Sequence, residues 1–141
     1  MTKLISLIYS SSATNPFSDD ELVSLLNQSR EKNTSFGVTG LLLYKDGQFM
    51  QVLEGEEPAV KKIYSSIDKD PRHFSVVQLR WEIIRERRFP YWSMGFKNLH
   101  NIDIRQVSGY TPFLDEALTS PTFQSDPSRA AKLLMAFREK A

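Results

Sequence analysis

Hydrophobic positions recur along the chain in two periods, and the switches between them mark the elements. Residues 3–9 are β-branched and apolar and read as a strand. Ser18 followed by Glu21 is a helix start, a serine cap with an acid three residues on. Leu22, Leu25, Leu26 and Ser29 follow at helical spacing, and Asn33 marks the expected end. Residues 38–44 and 48–54 form two strands joined by Lys45-Asp46-Gly47, where Asp-Gly is a strong hairpin signal. Residues 57–69 predict a second amphipathic helix, with Val60, Ile63, Tyr64 and Ile67 on one face and Asp70-Pro71 as the stop. Residues 75–84 and 93–99 read as two more strands, joined by a basic connection containing Phe89 and Pro90.

The order βαββαββ predicts an α+β, ferredoxin-like fold: a five-stranded mixed sheet with two helices on one face and the first and third strands adjacent at its centre. Residues 1–99 form that domain, and residues 100–141 are expected to be a helical extension. In the extension, short helices are expected near 113–118 and 127–139; the second carries Ala131, Leu134, Met135 and Phe137, which need a surface to rest on.

Strand alternation exposes one anomaly. Ile5, Leu7 and Tyr9 share a face of the first strand, and Phe49, Gln51 and Leu53 share a face of the third. If the apolar neighbours point inward, Tyr9 and Gln51 do too. A buried amide costs free energy unless it is satisfied, and a buried phenol also wants a partner. The two can bond each other, but an amide has more hydrogen-bonding groups than one hydroxyl uses, so a third polar group is implied. Taken singly, each candidate has an ordinary reading: Asn33 as a helix cap, Trp92 and Met94 as core, His73 as structural or surface, Arg85, Arg87 and Arg88 as a solvated loop.

Composition narrows the chemistry. With 18 basic and 17 acidic residues the net charge is +1, which gives no electrostatic reason to bind nucleic acid or an anionic membrane. No apolar run approaches the ~18 residues of a membrane span, and the apolar N-terminal segment reads as a strand rather than a signal peptide, so a cytoplasmic location is expected. The absence of cysteine excludes disulfides, thiolate metal sites and photochemistry that forms a cysteinyl adduct. With two histidines, His73 and His100, no histidine-built metal site is expected.

Several motifs stand in a fixed order: Leu7-Ile8-Tyr9-Ser10, then Asn33 with Gly37-Val38-Thr39-Gly40-Leu41-Leu42-Leu43-Tyr44, then Gly47, Phe49, Gln51 and Leu53-Glu54-Gly55. Asp70-Pro71-Arg72-His73, Phe89-Pro90 and Trp92-Ser93-Met94 complete the series. This pattern resembles the BLUF family, sensors of blue light that use FAD, over about residues 3–99. The resemblance implies a non-enzymatic photoreceptor with FAD held non-covalently between the two helices. Leu25 and Ile67 would pack on the ring faces, Asn33 would bond the pyrimidine edge, and Asp70 and Arg72 would lie near that edge or the ribityl chain. Gln51 would bridge Tyr9 and the flavin, supplying the missing third group. The excited flavin would take an electron from Tyr9, a proton would follow through Gln51, the radical pair would recombine, and the Gln51 amide would be left rotated or tautomerised with a new hydrogen bond to the flavin carbonyl. Trp92 and Met94 would relay that change to the C-terminal helices. Ser66 departs from members that carry a basic residue there. After residue 99 there is no sign of a cyclase, phosphodiesterase or DNA-binding module, so an oligomer or a separate signalling protein is the expected partner.

Two rivals share the plan. An RNA-binding module of the RRM type would use the third strand, residues 45–52, but needs aromatics facing away from the helices and a basic surface. An acylphosphatase-like enzyme would need a glycine-rich anion loop before the first helix, and none is present.

Overall fold

The structure, a computed structural model, describes residues 3–15, 17–45, 47–89 and 95–98, with residues 119, 121–126, 128, 130, 131 and 134 of the C-terminal part. Along the chain run β1 (Leu4–Ala13), α1 (Asp19–Phe36), β2 (Thr39–Lys45), β3 (Gln48–Glu56), α2 (Glu57–Asp68), β4 (His73–Ile83), β5 (Gly95–Asn98) and a short α3 (Pro121–Ser125). The sheet order is β4-β1-β3-β2-β5. The first four of these strands are antiparallel neighbours, and β5 lies parallel to β2.

Local signals start and stop these elements. The Ser18 hydroxyl accepts the Glu21 N–H at 3.2 Å while the Glu21 carboxylate accepts the Ser18 N–H at 3.0 Å, a reciprocal cap. Ser18→Ala is expected to cost about 1 kcal/mol, read as a lowered midpoint in thermal unfolding. The far end differs from the expectation at Asn33. The helix continues to Phe36 and stops at Gly37, whose left-handed φ of 69° lets its N–H turn back to the carbonyls of Asn33 and Thr34. Asn33 therefore lies inside the last turn with its side chain aimed from a helix face. β1 also outruns its expected end. Ser10, Ser11 and Ser12 extend it, all three paired with β3 and Ser10 and Ser12 also with β4.

Alternation along the strands feeds two separate cores. Ile5, Leu7, Tyr9, Leu42, Phe49 and Leu53 meet Leu22 and Leu26 of α1 and Val60 and Ile63 of α2. Ile8, Leu41, Leu43, Met50, Val52 and Leu79 point the other way and are buried with Phe89, Phe123, Ala130 and Leu134. Burying one such aliphatic side chain is worth about 1.5–3 kcal/mol, so each cluster is a substantial part of the stability. The expected helix at 113–118 lies outside the described residues, as do Met135 and Phe137; α3 falls between the two expected segments.

The RNA-binding alternative fails on this arrangement. Phe49 faces the helices, and Met50 and Val52 are covered on the far face. Among the described residues there is no exposed aromatic platform on β3 for bases to stack on.

Candidate functional site

Tyr9 and Gln51 stand directly opposite each other in the β1–β3 ladder. Both point to the helix side, and the Tyr9 hydroxyl donates to Gln51 Oε1. With Tyr9 3% and Gln51 4% exposed, water does not compete for this bond. The Tyr64 ring of α2 packs at 5.6 Å from that of Tyr9. A shift of register in the β1–β4 pairing falls between Ile8 and Tyr9, where a bulge re-aims the chain.

Burial, reinforced by Tyr64 and Asp70, pushes the Tyr9 phenol well above its ordinary pKa. It is a neutral donor throughout the physiological range. A raised folded-state pKa contributes stability that is complete below the unfolded value of about 10 and declines as pH rises above it. Thermal unfolding midpoints measured from pH 8 upward are therefore expected to fall beyond about pH 10, and to fall less in Tyr9→Phe.

Above the pair, a cavity of about 190 Å³ opens between α1 and α2. Tyr9, Leu25, Asn33, Gln51, Ile67, Asp70 and Arg72, singled out in the sequence, all line it. Leu25 and Asn33 come from one face of α1, eight residues apart, and Ile63 and Ile67 from one turn of α2. The walls are thus aliphatic, and amides stand at the floor and on one edge. Asn33 is 3% exposed, a position an amide does not occupy without hydrogen-bonding work to do.

The rim is polar. Arg72 Nε and Nη2 donate to the Asp70 carboxylate at 3.0 and 2.6 Å, and the Arg72 main-chain N–H adds a bond at 2.9 Å. The Arg72 side-chain bond is the main reason that the Asp70 carboxyl is held below its usual range. Arg72 Nη1 also reaches Gln28 Oε1 at 3.2 Å, tying the α2–β4 turn to α1 across the mouth.

His73 is more than a surface residue. It lines the cavity, with Nδ1 2.8 Å from the Ser11 hydroxyl and Nε2 against the Ile67 carbonyl. A carbonyl only accepts, so Nε2 donates to Ile67, while Nδ1 and the Ser11 hydroxyl share a hydrogen bond. Ser29 and Ile63, placed by their spacing on the same helix faces as Leu25 and Ile67, line it too, whereas Phe17, Gln28 and Lys32 are lining residues that sequence reasoning passed over. For Lys32 the signal was present: it stands seven residues after Leu25, on the helix face already marked. Ser66 lines the cavity without charge, its hydroxyl donating to the Lys62 carbonyl at 3.3 Å. Lys32 and Arg72 supply the cationic groups instead. Trp92 and Met94 lie outside the described residues.

The donor set suits a flat, conjugated heterocycle with a mixed donor and acceptor edge. Aliphatic side chains cover such a ring, amides satisfy both kinds of edge group, and rim cations suit a phosphate-bearing tail. Among the described residues no cluster of three metal-ligating side chains occurs, and no described helix is long and apolar enough to cross a membrane.

Residues 4–95 match the family described as sensors of blue-light using FAD, BLUF. Over 87 residues the chain is 39% identical to photoactivated adenylate cyclase subunit beta of Euglena longa, which is 62% of this chain and 10% of that protein. It is 43% identical over 70 residues to the blue light- and temperature-regulated antirepressor BluF of Escherichia coli K12, covering 50% of this chain and 17% of that one. The chain thus spans about a tenth to a sixth of the length of these curated relatives. The dark-state structure of BlrB, a BLUF protein, superposes with a TM-score of 0.73 at 31% identity, over 94% of this chain and 98% of that one.

Proposed function

The chain belongs to the BLUF family of blue-light sensors, and from that premise we propose that it is a photoreceptor in which the Tyr9–Gln51 pair converts absorption by FAD into a change of hydrogen bonding. One observation carries the reading: a buried phenol donates to a buried amide at the floor of a cavity walled by aliphatic side chains. FAD bound there supplies a blue-absorbing chromophore whose excited state oxidises a neighbouring phenol. Leu25 and Ile67 hold the ring faces, Asn33 bonds its polar edge, and Asp70 and Arg72 stand at the rim.

The chain's own part is the management of one electron and one proton. Tyr9 is kept neutral by burial, so the electron it gives up is followed by its proton. Gln51 Oε1 already accepts from the hydroxyl, so that proton has a path with no reorganisation, and it returns to Tyr9 with the electron, leaving the phenol intact and only the amide changed. An amide has a donor end and an acceptor end; turning it about its terminal bond, or shifting its proton, exchanges what Tyr9 and the ring each meet. Trp92, Met94 and the C-terminal helices carry the change onward, within a five-stranded ferredoxin-like domain whose far face those helices cover. The output passes through a second copy of the chain or a separate signalling protein, in the cytoplasm. The chain catalyses no turnover of its own.

Absorption spectra of the purified protein in darkness and under blue light test this. Flavin bands with a reversible red shift are expected. A colourless protein, or a flavin spectrum that light leaves in place, defeats the reading.

A further inference from the structure

Glu54 is fully enclosed, yet it lies on the sheet face opposite Gln51. Period two sends Gln51 and Leu53 toward the helices and Met50, Val52 and Glu54 the other way. One oxygen of its carboxyl, Oε1, accepts two consecutive main-chain N–H groups, from Arg88 at 2.8 Å and Phe89 at 2.9 Å. Arg87 grips the same place from outside. Its Nη1 donates to the Thr39 hydroxyl and to the Glu54 carbonyl, both at 2.8 Å, and its Nη2 to the Gly37 carbonyl at 2.7 Å.

These bonds join two regions that share no core. Gly37 caps α1, whose final turn holds Asn33 at the cavity. That turn has no basic residue of its own, so Arg87 brings from far along the chain the cation a helix C-terminus favours. Phe89, held by Glu54, is buried in the far-face cluster with Phe123 and Leu134. The short connection after β4 therefore touches the helix end beside the cavity and the residues that cover the opposite face.

We propose that Glu54 and Arg87 are positioning residues, a clamp that passes rearrangement on the helix side of the sheet to the C-terminal cover on the far side. The proposal rests on the photosensor reading. A carboxylate shared by consecutive amides fixes the orientation of the turn at 87–89, and the guanidinium fixes where that turn sits. A shift of the α1 end then moves Phe89 and what packs on it.

The test uses the flavin-loaded full chain and three variants: Glu54→Leu, Glu54→Gln and Arg87→Met. Dark recovery after illumination is followed by absorption, and hydrogen exchange of residues 119–134 is compared in darkness and light. All variants should hold flavin and show the red shift. Glu54→Leu and Arg87→Met should recover faster by about tenfold, the scale of one lost hydrogen bond to a charged group. Both should also lose the light-dependent change in exchange. Glu54→Gln keeps an acceptor for both amides and should restore wild-type behaviour, which a loss of packing alone would not predict. Recovery within about twofold of wild type together with an unchanged light-dependent exchange overturns the clamp, the margin being well under one hydrogen bond. If Glu54→Leu does not fold, Arg87→Met, altered at a partly exposed side chain, decides by the same criteria. Absence of a red shift in the wild type defeats the photosensor reading, and the clamp with it.

Discussion

Gln51→Leu is expected to bind flavin normally and to show no light-induced red shift. Leucine is close to glutamine in shape, and position 51 faces an aliphatic neighbourhood that includes Leu42 and Leu53. The fold therefore keeps its packing. What disappears is the group with distinguishable ends: a branched alkyl has no donor or acceptor to exchange, so no rearrangement can be stored. The Tyr9 hydroxyl loses its acceptor, a cost of about 1–3 kcal/mol for a buried donor left unsatisfied. The variant should accordingly melt lower than wild type while its dark flavin bands stay close to normal. A preserved red shift in this variant would remove the amide from the photoresponse.

Tyr9→Phe should give the same photochemical loss by a different route. Phenylalanine preserves the ring that packs on Tyr64 and borders the cavity, so flavin is retained. A benzene ring is far harder to oxidise than a phenol, and it has no proton to send to Gln51. Time-resolved absorption should show the excited flavin living longer, and steady illumination should leave the dark spectrum unchanged. The two variants differ in their alkaline stability. Tyr9→Phe removes the group whose elevated pKa penalises high pH, whereas Gln51→Leu keeps it buried. Comparing their melting above about pH 10 separates loss of the phenol from loss of its acceptor.

Much of this was legible in the residues because the signals were local. Ser18 and Glu21 announce a capped helix, Asp-Gly announces a hairpin, and alternation alone puts Tyr9 and Gln51 on one inward face. Their direct opposition follows from the register of β1 with β3, which the hydrophobic pattern fixes. Other features escape that reading, and all but the helix end at Gly37, a local signal four residues past Asn33, do so because they depend on distant chain. Asn33 looks like a helix end until Gly37 is seen taking the left-handed turn. Ser10, Ser11 and Ser12 lie past the expected strand end because nothing local says that β3 will pair with all three and β4 with Ser10 and Ser12. His73 has its roles set by Ser11, 62 residues away, and by the carbonyl of Ile67. Glu54 looks like a solvated strand end, and only its partners more than 30 residues later explain its burial. The cavity residues on α1 and α2 show the middle case: helical spacing marks the faces, but only packing reveals that those faces leave a gap between them.

One sheet serves two cores, and this has a consequence for how such a receptor can diversify. The Tyr9–Gln51 pair and the cavity lie on one side, and Phe123, Ala130 and Leu134 lie on the other. In the proposed photosensor, a single layer of backbone divides input from output. Selection can replace whatever leans against the outer surface, or lengthen it, without touching the residues that line the cavity.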